Sequence, residues 1–108
     1  MDTPQQQFHA IADKLAAESQ AITVGKMMSS PGIRYQNKVF AFFYKGGMVF
    51  RFGRGFDPAT VGIHDYQLLS PFKTRPPLLD WFEISSTHMQ QWEALARVAL
   101  QRMIEQQR

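Results

Sequence analysis

"SPGIRYQNKVFAFFYKGGMVFRFGRGF", Ser30 to Phe56, is the stretch on which the fold turns. It is rich in aromatic residues, and Arg34, Lys38, Lys45, Arg51 and Arg54 fall within it with no acid until Asp57. Two readings compete: a face whose rings stack on nucleic-acid bases beside cations, or the hydrophobic centre of a sheet whose exposed positions are basic. Spacing favours the sheet. Ile33 to Tyr35 faces Lys38 to Tyr44 across Gln36-Asn37, and Asn37 tolerates the left-handed region a tight hairpin needs. Lys45-Gly46-Gly47 closes a second hairpin into Met48 to Phe52. Val39 to Tyr44 is apolar at every position, which predicts a central strand covered on both faces. Met48, Phe50 and Phe52 alternate with Val49 and Arg51, the pattern of a strand with one face more exposed.

Upstream, Ile22 to Met28 reads as a first strand. Ser29-Ser30-Pro31-Gly32 reads as a type II turn in which Pro31 presets φ and Gly32 supplies a positive φ. Downstream, Asp57 caps a short helical turn with Pro58 at its first position. Ser70 to Pro77 reads as a loop and Leu79 to Ile84 as the last strand. Helices bracket the strands. Thr3 and Gln6 form a capping box, and Phe8, Ile11, Ala12 and Leu15 recur at helical spacing in a helix that ends near Ser19 or Gln20. Thr87 and Gln90 repeat the capping signature ahead of Met89, Trp92, Leu95, Ala96, Ala99 and Met103. Val98, Leu100 and Ile104 widen that last stripe, so the helix meets either its own sheet broadly or a second subunit. The expected fold is α+β: one domain over residues 1–108, an antiparallel meander flanked by N-terminal and C-terminal amphipathic helices.

The chain of 108 residues is 44% hydrophobic and 19% charged, a globular balance able to offset the entropy of ordering. Absence of cysteine excludes disulfides, thiolate metal sites and cysteine nucleophiles, and accords with a reducing compartment. Asp2 stands where a signal peptide would be positive, and no run approaches the roughly 18 apolar residues that cross a bilayer. The expectation is a cytoplasmic protein without a membrane segment. The net charge of +3 is concentrated in the middle of the chain.

Catalytic chemistry finds little support. His9, His64 and His88 fall in separate elements without the pairing of a zinc motif, so neither a metal nor a cofactor is implied. No nucleophile elbow, Walker loop or dinucleotide fingerprint is present, and Gly53-Arg54-Gly55 reads as a strand exit. Asp57, Asp65, Asp80 and Glu83 show no acid–base spacing. "KVFAFFYK" matches the RNA-recognition signature at Lys38, Phe40, Ala41 and Phe42. It places Val39, Phe43 and Lys45 where that signature has glycine, valine and an aromatic, and no helix separates the first two strands.

With the strands placed, the chain resembles the N-terminal domain of the TfoX/Sxy family, bacterial proteins that include regulators of natural competence. The resemblance rests on "ITVGKMMSSPGIRYQNKVFAFFYKGGMVFRF", on "PFKTRPPLLDWFEIS" and on the final amphipathic helix, from about Phe8 to Met103. Met27-Met28-Ser29 stands where the family has a Met-Phe-Gly type run, and Gln36-Asn37 where it has Asn-Gly. The resemblance covers the family's first domain and not the helical second domain of its fuller members. It implies a non-enzymatic regulatory or protein-interaction module that acts with partners, in transcriptional regulation of competence-type genes.

Three surfaces follow as candidates. Met89, Trp92, Val98 and Leu100 are candidates for self-association in a homodimer. Lys26, Arg34, Lys38, Lys45, Arg51, Arg54, Lys73 and Arg75 are candidates for direct nucleic-acid or DNA binding, or for anion binding. Arg51, Arg54, Lys73, Arg75 and Trp81 are candidates for a small-molecule or anion site where a strand end meets two loops.

Overall fold

A computed structural model describes residues 3–27, 30–70, 74 and 76–106. Helix α1, Pro4–Glu18, opens on the expected capping box: the Thr3 side chain accepts from the Gln6 N–H and the Gln6 side chain accepts from the Thr3 N–H. Phe8, Ile11, Ala12 and Leu15 form its buried stripe. Strands β1 (Ile22–Met27), β2 (Ser30–Tyr35), β3 (Lys38–Tyr44) and β4 (Gly47–Arg51) follow as an antiparallel meander. A 3-10 turn at Pro58–Val61, capped by Asp57, leads to β5 (Gln67–Leu69) and then β6 (Leu78–Ile84). Helix α2, Trp92–Gln106, closes the described chain.

The fold is α+β: one six-stranded antiparallel sheet with both helices on the same face, α1 over β1 and α2 over β3 and β4. Strand order is β1-β2-β3-β4-β6-β5, so the meander stops at β4 and β6 inserts between β4 and β5. Strand β5 was not anticipated. Its three residues are too few to show a period, and only pairing with β6 makes them a strand.

Four local expectations change. Ser30, Pro31 and Gly32 belong to β2, opposite Met27, Lys26 and Gly25, and Gly32 has no positive φ. The chain link at 28–29 lies outside the described residues. Proline fits this strand because of the ladder's phase. The Gln36 N–H donates to Ala21 O at 2.9 Å, and alternation then makes Lys26 and Pro31 a non-hydrogen-bonded pair that needs no N–H from Pro31. Secondly, the β2–β3 register slips, so Ile33 faces Ala41 while Arg34 faces Val39 and Phe40 is the extra residue. This bulge turns Phe40 and Ala41 both toward the helices, after which Phe42 and Tyr44 point away from them. Thirdly, Val49 is fully buried beside Phe42 and Leu69 on the face opposite the helices, so β4 is covered on both sides there. Fourthly, Thr87 and Gln90 form no capping box. They lie within a 3-10 segment, Ser86–Gln91, whose cap residue Ser85 makes no side-chain bond, and α2 starts only at Trp92.

Both hairpins close through two residues of positive φ, Gln36-Asn37 (49° and 70°) and Lys45-Gly46 (49° and 82°), the geometry that matches strand twist. The principal core lies between helices and sheet. Phe8, Leu15, Phe40, Phe50, Phe52, Ile84 and Trp92 are fully enclosed in it, each contributing roughly 1.5–3 kcal/mol by burial. Ion pairs clamp the helices together on the outside. Arg97 donates to both carboxylate oxygens of Glu18 at 2.8 and 2.7 Å, and Lys14 reaches Glu93 at 3.2 Å. Arg102 donates to the Phe52 carbonyl and lies over the Phe56 ring, which ties α2 to the exit of β4.

Candidate functional site

Charge divides between the two layers. The described bases of the helices are occupied: Lys14 and Arg97 by carboxylates, Arg102 by a carbonyl and an aromatic ring. Hydrogen bonding from Arg97 holds the Glu18 carboxyl below the usual range, and Glu18 in turn raises the Arg97 guanidinium. By contrast, among the described residues Lys26, Arg34, Lys38, Lys45, Arg51 and Arg54 have no carboxylate at ion-pairing distance. They sit in a segment, Ser19 to Phe56, that contains no Asp or Glu at all.

Register sorts these bases. Arg34 faces Thr23 on one side and Val39 on the other, and its guanidinium lies across Gly25 on β1. A side chain at Gly25 would occupy the same space. Arg51 faces Trp81. Arg34 and Arg51 therefore share the helix-free face, on β2 and β4, about 10 Å apart across β3. Aromatics line that face: Phe42 meets Trp81 at 5.5 Å and Tyr44 at 6.0 Å, both edge-on, and the Lys45 ammonium lies 5.2 Å from the Tyr44 ring centre. Glu83, opposite Val49 and Gln67, is the acid on the same face, toward β5.

The other expected bases go elsewhere. Lys26 and Lys38 face Pro31 and Tyr35, in rows that turn toward the helix side. Lys45 is at the tip of the β3–β4 hairpin. Arg54 lies between Gly53 and Gly55 at the mouth of a pocket of about 260 Å³ formed with Phe56, Tyr66, Leu68, Leu79 and Phe82. Lys73 and Arg75 lie outside the described residues. The described bases thus make no single patch, and the proposed cluster of Arg51, Arg54 and Trp81 is split: Arg51 and Trp81 are on the helix-free face, Arg54 at the pocket beyond it.

The self-association set is drawn inward. Trp92 is fully buried, because α2 turns it onto the core, so it cannot present a surface. Met89, Val98 and Leu100 are half-buried and pack on the same core. Apart from Ile104, the width of the α2 stripe is used by the chain's own core.

Histidine chemistry is limited. His88 lies in the 3-10 segment, with Nε2 2.5 Å from Asp65 Oδ1 and Nδ1 3.2 Å from Gln91 Oε1. That contact holds the Asp65 carboxyl below the usual range. Both ring nitrogens are engaged. Among the described residues no group of His, Asp or Glu could hold a metal ion, and no helix is long and apolar enough to cross a membrane.

No family model, curated protein or solved structure matches the chain.

The sheet edges differ as much as the charges. At one end β5 is short and its register with β6 is irregular. At the other, β1 is six residues long and pairs with β2 without a slip. Thr23, Val24 and Lys26 are exposed, Val24 to 49%. Sequence reading named the bases but missed this edge and the berth at Gly25. The available signals were the acid-free run and the facing small residues Gly25 and Gly32.

Proposed function

We propose that this chain is a non-enzymatic protein-interaction module that engages an acidic partner through the basic half of its sheet, β1 to β4. The observation that carries the reading is the division of ion pairing: the described bases in the helical layer are spent inside the molecule, while those on β1 to β4, strands without a single acid, have no carboxylate partner among the described residues. The resemblance to the TfoX/Sxy N-terminal domain supplies a setting, transcriptional regulation in bacteria, in which such a module acts through a partner.

Nucleic acid is the less favoured partner. A duplex binder needs a dense basic stripe, and among the described bases only Arg34 and Arg51 share the helix-free face. Single-strand binders display ring faces for stacking, whereas Phe42 is enclosed and packs edge-on against Tyr44 and Trp81.

Amide chemical-shift titration with an oligoglutamate and with a short DNA duplex of equal charge tests the proposal. Saturable shifts confined to β1–β4, weakened by salt and by the double change Arg34→Ala and Arg51→Ala, are expected with the peptide. Tighter, arginine-dependent binding of the duplex would transfer the function to nucleic acid. Shifts gathered around Arg54 and Phe56 instead would point to the pocket.

A further inference from the structure

We infer that the outer edge of β1 accepts an extended acidic segment of a partner protein as a seventh strand. This rests on the interaction-module reading and specifies its mode and the chemistry of the partner. The ladder's phase identifies the groups that would bind. With the Gln36 N–H on Ala21 O, alternation gives Thr23, Gly25 and Met27 to the bonds with β2 and leaves the N–H and C=O of Ile22, Val24 and Lys26 directed outward. The Ile22 N–H turns back to Ser19 O at 3.2 Å, and among the described residues nothing pairs with the Ile22 C=O or with the N–H and C=O of Val24 and Lys26.

Natural sheets guard such edges by shortening, bulging, proline or covering. Strand β5 is guarded by its length and irregular register. In β1 the guard is a single lysine, Lys26, and the strand is regular. An uncovered regular edge beside a protected one is what strand addition requires.

Charge selects the occupant. Lys26 borders the edge in the row that turns toward the helices, and on the opposite face the Arg34 guanidinium reaches over Gly25 toward the same edge. Neither β1 nor β2 carries an acid. An incoming strand therefore meets a cation on each of its faces, and Val24 gives it one apolar contact. A second copy of β1 would bring Lys26 and no carboxylate to this edge, so charge favours a foreign acidic segment over self-pairing.

The test uses fluorescence anisotropy of a labelled octapeptide of alternating Val and Glu. Its comparators are the same peptide N-methylated at alternate residues and a Val–Lys version. The parent peptide is expected to bind. N-methylation, which removes donors but no charge, and Val24→Pro, which removes one outward donor, should each weaken binding about five- to tenfold. The Val–Lys peptide should not bind. A thermal melt checks that Val24→Pro is folded, and if it is not, the N-methylated peptide decides alone. Equal binding of the parent and N-methylated peptides, with both weakened by Arg34→Ala, overturns strand addition and leaves the interaction module standing. Equal binding of the Val–Lys peptide overturns the acidic partner. Silence of both this peptide and the oligoglutamate overturns both readings.

Discussion

Replacing Gly47 by alanine tests the placement of β6 against β4, on which the strand order depends. A Cβ at Gly47 would lie 2.9 Å from the Ile84 carbonyl oxygen and 3.6 Å from both the Ile84 carbonyl carbon and Ser85 Cα. Carbon and carbonyl oxygen settle about 3.3 Å apart or more, so the β6 backbone must retreat by roughly 0.4 Å. A forced backbone shift at a packed site costs about 1–3 kcal/mol. Removing glycine's freedom in the unfolded chain offsets about 0.5–1 kcal/mol of this. The expected net loss is centred near 1 kcal/mol within a range of about 0–2.5 kcal/mol, or a melting temperature lower by roughly 4–8 °C at the centre for a domain of this size. Differential scanning calorimetry reads the shift, and urea unfolding should show a lower midpoint at unchanged slope. Gly25→Ala is the internal control. Its new Cβ collides with the Arg34 guanidinium, a closer approach but to the end of a flexible side chain that can swing away, so stability should stay within about 0.5 kcal/mol. A Gly47→Ala variant that melts above the parent would refute the β4–β6 pairing.

Glu18→Gln should lower the melting temperature at neutral pH and have progressively less effect as acid is added. Because Arg97 depresses the folded carboxyl, its contribution is present above the unfolded value of about 4.3 and is lost as pH falls through the folded one; melts from neutral pH to strong acid check the convergence. Phe42→Ala should cost about 3–5 kcal/mol in denaturant unfolding, since Phe42 is fully enclosed on the helix-free face, and a loss below about 1 kcal/mol would mean that this face has no packed cluster. Arg34→Ala and Arg51→Ala should each leave stability within about 0.5 kcal/mol by the same unfolding assay, while weakening oligoglutamate binding.

Much of the fold was legible wherever its cause is local. The Thr3–Gln6 cap and the Phe8 to Leu15 stripe are complete within one helix, and both hairpins are specified by residues that accept positive φ. Legibility failed where the cause lies across the sheet. The unbroken apolar run Val39 to Tyr44 hides the bulge at Phe40, because a change of phase leaves no mark when every position is apolar. Gln67–Leu69 becomes a strand only through β6, and Thr87 with Gln90 fits a capping pattern that the chain does not use because α2 begins five residues later than Thr87. The candidate site suffered in the same way. All its described bases could be named from composition, but which of them share a face depends on that bulge and on the β4–β6 register. Gly25 and Gly47 look alike in sequence, although one makes room for a cation and the other for a carbonyl.

The sheet cations that have no carboxylate partner among the described residues are informative because they are not needed to hold the fold. An exposed ion pair stabilises by only about 0.2–1 kcal/mol, so the clamp between α1 and α2 is a modest addition to a core that contains Phe8, Phe50 and Trp92. The sheet draws its stability from apolar packing on both sides, with Phe40 and Phe50 toward the helices and Phe42, Val49 and Leu69 away from them. Arg34 and Arg51 stand at the margin of this packing. If charge on the sheet served stability, acids would be expected opposite these bases, since cross-strand pairs of opposite sign are favourable. Their partners are instead Thr23, Val39 and Trp81. Arg34, on a strand free of acids and reaching over Gly25 toward the β1 edge, is thus the base on which the proposed acidic partner would depend most.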